Sequence, residues 1–184
     1  MKIGSVLENQ KIEKRIAITP EIAKKYISLG FSVTLSENYA LHLGIKDNEY
    51  SDIGVTISGD DDKIINSADV IVQLNLPTED KTSLIKQNKI IIGVLNPYNN
   101  ENKIKELVKR DINVFSLELL PRITRAQSMD MLSSQANLAG YKAVIESFSN
   151  FEKAVPMMMT AAGTVPAAKV LVVGAGVAGL QAIA

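Results

Sequence analysis

Through the first two-thirds of the chain, short apolar runs alternate with charged stretches of helical period. Residues 2–6, 20–29 and 32–35 read as strand, helix and strand. Thr19-Pro20-Glu21 supplies a helix start, with Thr as N-cap, Pro at the first helical position and Glu at the positive end of the dipole. Gly30 supplies the stop. The alternation goes on with a short helix at 60–67 and an apolar strand at 70–74 that ends in Asn75-Leu76-Pro77. A helix at 82–87, a nearly continuous apolar strand at 89–95, a helix at 101–109 with Ile104, Leu107 and Val108 on one face, and a strand at 113–117 complete the series. Strands buried on both faces need no polar alternation, so this pattern predicts a parallel sheet covered by helices on both sides.

The last third differs. From Ala126 onward only Asp130, Lys142, Glu146, Glu152, Lys153 and Lys169 interrupt apolar and small residues. Residues 130–151 have the spacing of one long helix, and 157–166, punctuated by Gly and Pro, read as a connection. Residues 169–173 form an apolar strand that runs into Gly174-Ala175-Gly176-Val177-Ala178-Gly179. The expected architecture is α/β, with two Rossmann-like doubly wound parallel-sheet domains, the second truncated. The first spans 1–126, a site loop and linking helix span 127–155, and the second begins at 156–184. The sequence stops at Ala184 in mid-helix with no stop signal, so we expect a fragment of a longer protein.

Composition narrows the function. The 184 residues are 46% hydrophobic and 22% charged, with 20 basic and 20 acidic side chains. A net charge of zero argues against nucleic acid as a partner, which needs a basic surplus. No Cys and a single His leave no thiolate or multi-histidine metal site and no cysteine nucleophile. Glu8 breaks the first apolar stretch before a secretory core is complete, and no uncharged run is longer than 170–184, which contains three glycines. The expected location is cytoplasmic, with any membrane role peripheral, through a partner or a missing part of the chain.

Two motifs carry chemistry. A buried strand entering G-x-G-x-x-G at a helix start is the context of a dinucleotide site. Gly174 serves the tight turn, Gly176 lets a pyrophosphate approach the backbone, and Gly179 allows close helix–strand packing. The second motif, 121–137, gathers Arg122, Gln127, Asp130 and Ser133 between the last strand of the first domain and the long helix. Arg122 can donate in a fork, Asp130 can accept from an amide, and Gln127 and Ser133 can do either. A plainer reading is equally open: Ser128 or Asp130 caps the helix and the arginines are solvated.

Arg15-Ile16-Ala17-Ile18-Thr19-Pro20, the run Pro121-Arg122-Ile123-Thr124-Arg125-Ala126-Gln127-Ser128-Met129-Asp130 with 133–141 after it, and 160–170 leading into the glycine motif resemble one family across the whole chain. It is the alanine dehydrogenase/transhydrogenase family, and within it the NAD(H)-binding alpha subunit of proton-translocating NAD(P) transhydrogenase. The resemblance implies Si-specific hydride transfer between NAD(H), held here, and NADP(H) on a separate component, coupled to proton movement. It also implies membrane-domain and NADP(H)-binding partner subunits, a homodimer, and a peripheral place on the cytoplasmic face of the inner membrane. By resemblance, Arg122, Asp130 and Ser133 orient the nicotinamide ring through its carboxamide, and Gln127 helps position the two rings. Gly174, Gly176, Val177, Ala178 and Gly179 match the cofactor-binding turn. Such a site orients cofactors and excludes water without proton chemistry.

Alanine dehydrogenase is the nearest rival, and its chemistry needs a Lys and a His. The corresponding places hold Asn75 and Asn96, and Arg15 is left with a structural role. A non-catalytic NAD-binding module is a third reading, with binding and no turnover. Three other features read as plain structure. His42 is a loop or packing residue, Met157–Met159 is flexible packing near the interdomain hinge, and Asp60-Asp61-Asp62 begins a helix.

Overall fold

The computed structural model describes residues 1–184 in two compact units, Met1–Leu120 and Pro121–Ala184. The first unit is a βα alternation: β1 (Lys2–Ser5), α1 (Pro20–Ser28), β2 (Ser32–Ser36), α2 (Asp47–Ser51), β3 (Thr56–Ser58) and α3 (Asp61–Ser67). It continues with β4 (Val70–Gln73), α4 (Glu79–Ser83), β5 (Ile90–Gly93), α5 (Glu101–Lys109) and β6 (Asn113–Ser116). All six strands are parallel, in the order β3-β2-β1-β4-β5-β6. This is the doubly wound Rossmann order, with its switch point between β1 and β4.

The continuous apolar strands have the expected cause. Val70 joins one core cluster, with Ile3, Val33, Leu35, Tyr39 and Tyr50, while its neighbour Ile71 joins the other, with Ile64, Ile65, Ile91 and Leu107. Alternate residues of one strand point to opposite faces, so the sheet is buried on both. At the switch point a buried polar knot ties β1 to β4. Gln73 accepts from Ser5 Oγ and Val6 N at 2.8 Å each and donates to Val6 O at 3.0 Å, and Ser5 also meets the Tyr39 hydroxyl at 2.8 Å.

Helix starts follow local chemistry. Thr19 Oγ1 accepts from Ile22 N at α1, and Asp60 Oδ1 accepts from Lys63 N at 2.9 Å at α3. The fourth helix forms at 79–83 rather than 82–87, because Thr78-Glu79-Asp80 is the helix-start signal and outweighs the apolar spacing downstream. The three-residue β3 and five-residue α2 are too short to leave a periodic signature.

In the second unit, α6 (Met131–Ser149) is the expected long helix. The 157–166 connection is instead an antiparallel hairpin of β7 (Met158–Thr160) and β8 (Gly163–Val165), closed by Thr160 Oγ1 donating to Gly163 O at 3.0 Å. Its methionines are solvent-facing rather than packed, with Met159 82% exposed. Residues 169–173 pair with no strand, and Leu171 and Val173 are 86% and 92% exposed. A parallel strand needs hydrogen-bonded neighbours, and no other strand of this unit runs beside it. The helix α7 (Val177–Ile183) follows the glycine motif.

Candidate active site

The polar residues of the 121–137 motif come together where the chain turns into α6. A six-residue 3₁₀ segment, Thr124–Met129, precedes the helix and is anchored by Ala126, which is 4% exposed. Asp130 is the N-cap of α6. Its Oδ1 accepts from Ser133 N at 2.9 Å, and its Oδ2 accepts from Ser133 Oγ at 2.7 Å and from Arg122 Nε at 3.3 Å. Arg122 Nη2 also donates to Ser133 Oγ at 2.9 Å. One carboxylate therefore caps the helix and pairs with Arg122, so capping does not exclude a site here.

These bonds have an electrostatic consequence. The Ser133 amide and hydroxyl, and then the Arg122 guanidinium, hold the Asp130 carboxyl below the usual carboxylate range. It stays an acceptor at neutral pH. The side of Arg122 not turned to Asp130 and Ser133 keeps spare N–H groups. Around this frame lies an open cleft of about 610 Å³ lined by Arg122, Ile123, Thr124, Gln127, Asp130 and Ser133. Residue type alone gives Ile123 and Thr124 no role, although the three-residue period of a 3₁₀ turn places Thr124 on the same side as Gln127. Arg125 stays exposed on this segment.

The glycine motif has the shape a phosphate turn requires. Gly174 adopts φ +109°, which favours glycine. A Cβ on Gly176 would meet nothing within 4 Å, so the backbone there is open to approach. A Cβ on Gly179 would lie 2.0 Å from Gly174 O, so close packing of α7 against the turn excludes any side chain. Val177 and Ala178 open α7. The two motifs are connected through α6. Two turns beyond Asp130, Asn137 Nδ2 donates to Gln181 Oε1 at 2.8 Å, and Gly140 meets the backbone of Ala178. Both motifs thus belong to one packed pair of helices, and their residues fit a dinucleotide on donor chemistry and on open backbone.

In the first unit, Asn75 and Asn96 sit at the carboxyl ends of β4 and β5. Glu8 takes Leu74 N at 2.7 Å, Asn75 N at 3.2 Å and Asn75 Nδ2 at 3.2 Å. Asn75 also bonds Glu13, whose carboxyl is held low first by Arg15. Arg15 Nη2 lies 2.6 Å from Glu13, in line with the structural role expected of it. Glu118 takes Asn96 N at 2.7 Å and Leu95 N at 3.2 Å. Burial pushes the Glu118 carboxyl up, and the Ser116 hydroxyl and backbone amides outweigh it, leaving it low. His42 is a loop tie, with Nε2 2.7 Å from Lys14 O and Nδ1 3.2 Å from Gln10 Nε2.

A Rossmann-order sheet, a glycine turn at a helix start and a polar Arg–Asp–Ser frame are the parts of a nucleotide-binding class of protein. Residues 4–139 match the N-terminal domain of Alanine dehydrogenase/PNT, and residues 143–184 match its C-terminal domain. The chain belongs to this family. It is 48% identical over 188 residues to an NAD(P) transhydrogenase subunit alpha chain of Rickettsia prowazekii (strain Madrid E), with all of this chain and 49% of the relative covered. The crystal structure of transhydrogenase from Sinorhizobium meliloti superposes with a TM-score of 0.93 at 45% identity, covering 100% of this chain and 55% of that one. Alanine dehydrogenase of Methanococcus maripaludis is more distant, 25% identical over 185 residues, covering 99% of this chain and 49% of the relative. The chain spans about half the length of the curated relatives it matches.

Proposed function

We propose that this chain is the NAD(H)-binding component of a proton-translocating, Si-specific NAD(P)+ transhydrogenase, exchanging hydride with NADP(H) held on a separate component. The observation that carries this reading is the Arg122–Asp130–Ser133 frame, whose outward donors and acceptor suit a primary amide. Arg122 would donate to the carboxamide oxygen of the ring and Asp130 would accept from its nitrogen, which fixes the ring plane. Gln127, on the same cleft, would help set one ring against the other. Gly174, Gly176, Val177, Ala178 and Gly179 would hold the pyrophosphate. Bound NAD(H) supplies the hydride chemistry, and the chain supplies orientation, worth several kcal/mol when reacting atoms are held about 3–3.5 Å apart. No residue of the frame has to transfer a proton.

The alanine dehydrogenase reading is weaker. Asn75 and Asn96 offer amides where that chemistry needs an amine and an imidazole, and an amide neither takes up nor releases a proton at working pH. No helix here is long and apolar enough to cross a membrane. The transhydrogenase relatives' names, each an alpha subunit, support the existence of partner subunits; in this reading they are a membrane subunit and an NADP(H)-binding one. Homodimerisation and a place on the cytoplasmic face of the inner membrane complete the proposal.

The test uses the assembled enzyme with NADH, offering either NADP⁺ or pyruvate with ammonium. Transfer to NADP⁺ that collapses in Arg122→Ala supports the reading. Turnover of pyruvate refutes it in favour of an amino-acid dehydrogenase, and cofactor binding with no turnover leaves the non-catalytic module.

A further inference from the structure

The cleft holds two polar side chains that make no bond within the chain, Gln127 and Thr124. Arg122, Asp130 and Ser133 are bonded to one another. Thr124 and Gln127 stand three residues apart on a 3₁₀ segment, so they share its cleft side while Ala126 is buried. A cleft of about 610 Å³ has more room than a nicotinamide ring alone fills. The carboxamide is already matched by the frame. The next polar groups of such a ligand are the hydroxyls of the ribose that carries the ring. A threonine hydroxyl, which both donates and accepts, complements another hydroxyl.

Building on the transhydrogenase reading, we infer that Thr124 is a further cofactor contact, its hydroxyl bonding a hydroxyl of the nicotinamide ribose. A ring held only by its carboxamide pivots about that anchor. A second attachment at the ribose fixes its tilt toward the partner ring, so the contact acts on transfer as well as on affinity.

In the assembled enzyme, Thr124→Val keeps the shape and removes the hydroxyl, and Thr124→Ser keeps the hydroxyl. The Val variant should lose about three- to tenfold in kcat/KM for NADH, the range of one hydrogen bond, and melt where the parent does. The Ser variant should retain most activity. An NADH analogue lacking hydroxyls on the nicotinamide ribose should lower the parent to the Val variant's rate and leave the variant unchanged. A Val variant equal to the parent, or one whose deficit persists undiminished with the deoxy analogue, overturns the inference. Failure of the parent to pass hydride from NADH to NADP⁺ removes the transhydrogenase reading and this inference together; failure confined to the variants' pattern removes only the latter.

Discussion

Gly140 offers a test of whether the two cofactor motifs work as one unit. A Cβ at this position would stand 2.1 Å from Ala178 O, 2.9 Å from its carbonyl carbon and 3.0 Å from its Cα. All three obstacles are backbone, so no rotamer change relieves them. Ordinary contact begins near 3.4 Å, so in Gly140→Ala the helix α7 must retreat by about 1.3 Å. That shift separates the glycine turn from the Arg122–Asp130–Ser133 frame and strains the Asn137–Gln181 bond. Overpacking of this kind costs about 1–3 kcal/mol of stability. A misplacement of about 1 Å can cost on the order of a hundredfold in rate. We therefore expect the melting temperature to fall by roughly 2–12 °C while single-turnover hydride transfer from NADH falls about ten- to a hundredfold. Lys142→Ala, which removes an exposed Lys142–Glu146 pair on the same helix, serves as the control and should leave both readings in place. A folded Gly140→Ala protein that transfers hydride at the parental rate would refute the idea that α6 sets the spacing of the motifs.

Two further predictions concern the first unit. In Gln73→Leu, the buried N–H and C=O of Val6 both lose their partner, at a cost of about 2–4 kcal/mol together. Thermal unfolding should move down by about 5–15 °C, and a change under 2 °C would contradict the role given to this knot. Burial pushes the phenols of Tyr39 and Tyr50 up, so the fold favours their neutral forms. Their contribution is complete below the unfolded tyrosine value near 10 and drains away as pH rises beyond it. Denaturant titrations between about pH 9 and 11 should show stability falling, and Tyr50→Phe should flatten that slope; an equally steep slope would refute this.

Much of the first unit was legible because most of its strands show continuous apolar character and α1 and α3 begin with Thr and Asp caps. The misses share causes. β3 and α2 span three and five residues, less than two full periods of a strand or a helix pattern. The position of α4 follows from its acidic first turn, a local electrostatic preference that apolar spacing does not report. The hairpin of β7 and β8 was hidden because Ala161-Ala162-Gly163 reads as loop while the pairing of Met158 with Val165 is a matter of register. Residues 169–173 have a strand's composition, yet strand formation depends on neighbours, which composition does not supply. At the site, residue types identified Arg122, Gln127, Asp130 and Ser133 as candidates. The use of one carboxylate as both cap and guanidinium partner is a geometric fact that only three-dimensional placement discloses.

The glutamates at the carboxyl ends of the parallel strands have a wider consequence. Glu8 and Glu118 turn their oxygens to the backbone amides of Leu74 and Asn75, and of Leu95 and Asn96. Such upward-facing amides are the ones a doubly wound sheet commonly offers to phosphate. Here the anion is covalently part of the chain. A phosphate arriving from solution competes with a tethered carboxylate whose effective concentration is on the order of millimolar or above. The first sheet is thus its own occupant: it keeps the geometry of a nucleotide fold with its own carboxylates seated on the amides at its strand ends.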